Sequence, residues 1–201
     1  MRRAMLYRIL RTNLASPLQG VVTLQALCSY RKAHEKLRNA PADSGGIASA
    51  QLLLASKAVG VSPEIIASFV ARWMEQEPLT VLAASMRKGT AELLQAARRS
   101  GLRLAVCSDY PADRKLAAMG IASFFDVVVT AQDPEVQRLK PDPRGLEVTL
   151  QRLGVPNNEA IYIGDRADVD AVAASRAGIQ HFILRGGQNF NELSKLFFRP
   201  S

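Results

Sequence analysis

From Lys88 onward the apolar positions fall into short runs separated by helical stretches that close on glycine. The pattern predicts helices over residues 90–99, 112–119, 145–153 and 168–177, ended by Gly101, Gly120, Gly154 and Gly178. Between them, residues 102–107, 125–130, 160–163 and 180–184 read as buried strands, and residues 191–198 as a last helix. Strands alternating with glycine-terminated helices predict an α/β fold with a parallel sheet flanked by helices and right-handed crossovers.

The first half is organised differently. After Pro17, the run LQGVVTLQAL over 18–27 reads as a buried strand centred on Val21 and Val22, followed by a polar helix over 29–39. The breaker cluster APADSGG over 40–46 marks a module boundary. Beyond it, residues 47–59 and 63–75 form two helical runs, the second with Ser62 as N-cap and Pro63 at the first helical position. Ile65, Ile66, Phe69, Val70 and Trp73 make one apolar stripe there, read as packing. The expected division is an α/β core from residues 1–39 and 85–201, interrupted by a small α-helical insert over 40–84.

Charge changes the picture only at the amino-terminal end. The chain has 201 residues and a formal net charge of +8. Residues 1–104 hold 15 Lys/Arg against 6 Asp/Glu, residues 105–201 hold 11 against 12, and no acid precedes Glu35. Residues 1–16 thus read as a basic arm, an amphipathic helix docked on the domain or seeking a protein partner or membrane surface. No nucleic-acid-binding motif accompanies the charge, and no run of about 18 apolar residues predicts a transmembrane segment. Cys28 and Cys107 lie in apolar surroundings, which predicts reduced, buried thiols and a cytoplasmic protein. An Arg-rich, acid-free start also resembles an organelle transit peptide, the alternative location.

Three polar features fall at successive strand ends, where open α/β sheets place their ligands. Ser108, with the adjacent backbone N–H groups, suits an anionic oxygen. Lys140 stands between prolines in Leu139-Lys140-Pro141-Asp142-Pro143, so its ammonium is aimed by a restricted backbone. Asp165, Asp168 and Asp170 crowd together after Gly164, and carboxylates so placed suit a hard cation such as magnesium.

In this order and spacing, SDYPADRKLAAMGI, RLKPDPRG and YIGDRADVDAVAASRAGI resemble motifs two, three and four of the haloacid dehalogenase-like (HAD) hydrolases, phosphatase members in particular. The resemblance covers residues 86–184 and implies a Rossmann-like core, with the helical insert as the family's small cap. It further implies magnesium-dependent phosphoryl transfer. Ser108 and Lys140 would hold phosphoryl oxygens, Asp165 the metal, and Asp170 would be a second metal-site acid, with Asp168 able to replace it. The ligand so implied is a phosphorylated small molecule.

Motif one of that family is a strand ending in two aspartates, the nucleophile and the general acid/base. Matched to residues 21–30, it puts Val22 at the nucleophile and Leu24 at the acid/base; neighbouring registers offer Thr23 or Gln25. No register supplies an aspartate, since the first in the chain is Asp43. Because 18–27 reads as a strand, substitution of these residues is favoured over loss of the strand. The expected function is a pseudo-phosphatase that keeps its phosphate and metal residues, binds magnesium weakly and acts by binding or protein interaction. The alternative is an active magnesium-dependent phosphohydrolase with a non-standard nucleophile. Thr23, Cys28 or Ser29 would serve, though neither His34 nor His181 is placed as their base, and Asp109 follows the wrong strand.

Overall fold

The computed structural model of the protein describes residues 2–12, 14, 16–38, 45–184, 186 and 190. The helix expected over 191–198 and Asp43 lie outside the described residues. The chain divides into two compact units, Met1–Ser85 and Met86–Ser201.

The first unit is helical throughout its described residues: α1 (Arg2–Thr12), α2 (Pro17–Leu37), α3 (Gly46–Val59), α4 (Pro63–Val70) and α5 (Leu79–Leu82). A π-helical stretch, Ala71–Gln76, continues α4. Helix α2 overturns two expectations at once. The stretch 18–27 is not a strand, and it runs without a break into the expected helix 29–39. Its buried residues are Gly20, Thr23, Ala26, Leu27, Tyr30, Ala33, His34 and Leu37, spaced by threes and fours along one helical face. Val21 and Val22, which suggested a strand, are the exposed residues. Pro17 opens the helix, where its missing N–H costs nothing. The face was inconspicuous in the sequence because small and polar residues make up much of it. Weak β propensity at two valines gave way to burial of that face.

Helix α2 packs along α3 and also meets α4, so residues 17–37 group with the helical segment rather than with the α/β core expected for 1–39. Gln51 of α3 donates to Tyr30 O at 2.9 Å, and its Oε1 lies 3.3 Å from His34 Nδ1, a buried polar link between α2 and α3. In α1, Ile9 is buried and Arg8 reaches Glu77 Oε2 at 3.2 Å and Thr80 at 2.9 Å, so the basic segment is docked on its own unit. Ser62 caps α4 as expected by accepting from Ile65 N, and Ile66, Val70 and Trp73 of the apolar stripe are buried. Ile65 is exposed, and so is Cys28, against the expectation that both thiols are buried. No single described helix is long and apolar enough to cross a membrane.

The second unit follows the expected alternation: α6 (Thr90–Arg99), β1 (Ala105–Ser108), α7 (Asp113–Ala118), β2 (Val127–Thr130), α8 (Arg144–Leu153), β3 (Ile161–Gly164), α9 (Val172–Arg176) and β4 (Gln180–Ile183). Among the described residues its four strands form two parallel pairs, β1 with β2 and β3 with β4, rather than one continuous sheet. Helix α8 covers both β1 and β2. Leu146 of α8, Ala173 and Ala174 of α9, and Ile179 form a core against which Cys107 of β1 and Tyr162 of β3 pack.

Val22→Pro separates helix from strand at the decisive segment. Proline in the interior of α2 is expected to cost about 3 kcal/mol, measured by urea denaturation, with loss of helical circular dichroism. A change of well under about 1 kcal/mol would contradict the helix.

Candidate functional site

The predicted chemistry gathers at the carboxyl ends of β1 and β3. Ser108 ends β1, and its Oγ accepts from Tyr110 N at 3.2 Å. The next residue, Asp109, accepts from Lys140 N at 3.2 Å, which ties the Lys140 loop to the same strand end. The Lys140–Pro141 peptide is cis. The Lys140 side chain is largely buried, and its Nζ lies 2.8 Å from Asp170 Oδ1. It also donates to Tyr162 OH at 2.8 Å and, at a longer 3.5 Å, to Cys107 O.

Asp170 is aimed by the backbone that precedes it. After β3, Ala167–Ala171 forms a π-helical turn, a wider coil than the α-helix expected there. This swings Asp170 back over Gly164, where an added Cβ would lie 2.5 Å from Asp170 Cβ. Only glycine fits. Asp170 Oδ2 then accepts from Asp165 N at 3.1 Å and Arg166 N at 3.0 Å, while Oδ1 takes Lys140 and Tyr162 OH, the latter at 3.1 Å.

That arrangement changes the expected metal set. A carboxylate offers about four lone-pair sites, and Asp170 uses all four on protein donors. As placed here it is the counter-ion of Lys140, with no lone-pair site left over for a cation. Asp168 is exposed and forms a two-pronged pair with Arg166, at 2.7 Å and 3.3 Å. Asp165 is exposed at the strand end, and the described residues contain no cluster of three or more His, Cys, Asp or Glu side chains that could hold a metal ion. The donors among the described residues therefore do not by themselves complete a magnesium site.

Val22 and Leu24 do not occupy the strand position expected for them. Both lie on α2, in the helical unit, so neither ends a strand. Thr23 is buried on the same helix with its hydroxyl donating to Gln19 O at 2.8 Å, and Cys28 and Ser29 follow on α2. Tyr162 is the participant that the sequence reading passed over. Its signal was a single polar-tipped aromatic within the apolar strand Ile161-Tyr162-Ile163, two residues before Gly164.

The electrostatics follow from this packing. Burial alone would lower the Lys140 pKa, but Tyr162, Asp109 and Asp170 around it hold it above the ordinary lysine value. Burial would raise Asp170, and the Lys140 ammonium with the Arg166 and Asp165 N–H groups outweighs that and lowers it. Tyr162 is pushed up by burial, against the pull of Lys140. Cys107 is pushed up to about 11 by burial, so its thiol is protonated and unreactive near neutrality.

Residues 44–178 match the family model of the haloacid dehalogenase-like hydrolases. The chain belongs to that family. It is 33% identical over 135 residues to a phosphoglycolate phosphatase of Rhodospirillum rubrum, covering 65% of this chain and 53% of that one. It is 40% identical over 74 residues to a glyceraldehyde 3-phosphate phosphatase of Methanopyrus kandleri, covering 37% and 31%. The HAD chain thus spans about a third to a half of these relatives. Among solved structures, it resembles the putative HAD-hydrolase YfnB of Bacillus subtilis, described as bound to magnesium (TM-score 0.67, 14% identity, 96% of this chain and 89% of that one). It also resembles a HAD phosphatase of Thermococcus onnurineus (TM-score 0.54, 20% identity, 87% and 90%). At these identities the structural likeness concerns the fold.

Asp170→Asn tests the buried pair. It leaves Lys140 without its counter-charge and is expected to cost about 3 kcal/mol near neutral pH. Because the folded pKa of Asp170 is lowered, its contribution is present above the ordinary carboxylate value and lost as pH falls through the lowered one. The deficit of the variant should therefore shrink below about pH 4, read by chemical denaturation across pH. A deficit independent of pH down to acid unfolding would reject the ion pair.

Proposed function

We propose that this chain carries the phosphate-binding half of a HAD phosphatase site, and that it binds a phosphorylated small molecule without hydrolysing it unaided. The observation that carries this reading is the convergence of Ser108, Lys140 and the Asp165 strand end at one corner. A phosphoryl group there would meet the Ser108 hydroxyl and the Lys140 ammonium. The long contact from Lys140 Nζ to Cys107 O is the weakest of its three, and a phosphoryl oxygen would replace it first. The relatives named for phosphoglycolate and glyceraldehyde 3-phosphate favour a small phosphomonoester over a nucleic acid.

The pseudo-phosphatase reading now rests on different ground. It no longer depends on Val22 and Leu24 as substituted catalytic positions, because α2 holds them. It depends on the described residues of the α/β unit, where no carboxylate other than Asp109, Asp165, Asp168 and Asp170 gathers at this corner. Asp109 and Asp170 are engaged with Lys140, and Asp168 with Arg166. Thr23, Cys28 and Ser29 lose their support as alternative nucleophiles for the same reason as Val22. Nothing in the geometry singles out a protein partner for the basic segment.

Titration with inorganic phosphate, followed by calorimetry, tests the reading. Ser108→Ala and Lys140→Met should each weaken binding by about tenfold or more, as expected for hydrogen bonds to a charged group. With p-nitrophenyl phosphate and magnesium the chain should show no turnover, and the double change Val22→Asp with Leu24→Asp should not create any. Turnover by the unaltered chain that disappears in Lys140→Met would overturn the proposal in favour of an active phosphohydrolase.

A further inference from the structure

Each two-stranded pair of the α/β unit has two edges, and those of β1 and β3 border the same polar corner. In a parallel ladder, alternate residues address alternate neighbours. Ser108 O accepts from Ala131 N and Leu104 O from Asp126 N, so even-numbered residues of this segment face β2. The N–H and C=O groups of Ala105 and Cys107 therefore face the other way. On β3, Gly164 O accepts from Leu184 N, which turns the backbone groups of Ile161 and Ile163 away from β4. Among the described residues, no backbone group pairs with either open edge.

Burial sets the β1 edge apart. Parallel strands are normally covered on both faces and buried. Val129 of β2 has no exposed surface, whereas no residue of β1 or β3 is buried and Ile161 is 47% exposed. The pattern is inverted for β1, which is more open than its own partner β2, whereas β3 is less exposed than its partner β4. Both edges also border one place. Lys140 Nζ bridges Cys107 O on β1 and Tyr162 OH on β3, and Cys107 and Tyr162 pack on the same cluster of Leu146, Ala173, Ala174 and Ile179.

We propose that an extended apolar polypeptide segment of about four residues docks between β1 and β3, parallel to both, and joins the two pairs into one sheet. Two rows of alternating donors and acceptors that border one place are satisfied together only by a backbone in extended form. Ala105, Val106, Cys107, Ile161 and Ile163 offer no charge to anchor a polar segment, so the occupant's side chains are apolar. Its N–H opposite Cys107 takes the carbonyl that Lys140 now contacts at 3.5 Å, which releases one ammonium proton towards a phosphoryl oxygen. This last consequence rests on the phosphate-binding reading above; the docking itself does not.

Amide hydrogen exchange by NMR on the full chain tests the docking, with a soluble peptide of four Val/Ile residues flanked by lysines as probe. In the chain alone at low concentration, Ala105, Cys107 and Ile163 should exchange fast and Val106 and Ser108 slowly. The peptide should slow the first three at least tenfold, and the same peptide N-methylated at alternate positions should not. Protection of those amides without peptide would overturn the proposal, whether constant or rising with protein concentration as for pairing of two copies. So would equal protection by the N-methylated peptide, or none by the unmodified one. Inorganic phosphate is then titrated with and without peptide: tighter binding with it supports the coupling to Lys140. Edge protection with unchanged phosphate affinity would leave the docking standing and reject that coupling.

Discussion

The buried contact between Lys140 and Asp170 is the constraint around which the α/β unit's polar corner is built. Two charges removed from water are costly unless their geometry is good and their remaining hydrogen-bonding capacity is filled. Here both conditions are met by neighbours rather than by the pair alone. Tyr162 OH bridges the two, the N–H groups of Asp165 and Arg166 fill the second carboxylate oxygen, and Asp109 fixes the lysine backbone. Each of those roles imposes a local demand. Gly164 must lack a side chain for Asp170 to close over it, and the π-helical turn at Ala167–Ala171 supplies the extra backbone that brings it there.

The pair also sets the charge at this corner. An Asp170 saturated by four protein donors adds no ligand for a cation, and a Lys140 held below its own raised pKa stays charged across the physiological range. The corner thus holds one buried ammonium, balanced by Asp170, with the exposed carboxylate of Asp165 nearby. The open edges of β1 and β3 run into this corner, so whatever lies between those strands also governs the contacts available to Lys140.

The helical unit and the α/β unit differ in how openly their sequences announce them. In the α/β unit, glycines at 101, 120, 154 and 178 adopt positive φ, and strands of Val and Ile lie between them, so local chemistry alone punctuates the elements. In α2, the buried face is made largely of Gly20, Thr23, Ala26, Ala33 and His34, residues that carry little hydrophobic signal. The most apolar local pair, Val21 and Val22, points outward. A periodicity of three and four was present there but was masked by composition, and packing against α3 and α4 decided it.

By itself the sequence determined the family, the alternation of the α/β unit and which polar residues stand at its strand ends, because each depends on short-range spacing. Only the tertiary structure decided which partner each acid takes. Asp165, Asp168 and Asp170 are equivalent as a string, yet one is exposed, one is paired with Arg166 and one is buried under Lys140. It also decided that Val22 and Leu24 belong to a helix and that the sheet is split between β1 and β3. Those outcomes rest on contacts between residues far apart in the chain, where burial and hydrogen-bond saturation override local propensity.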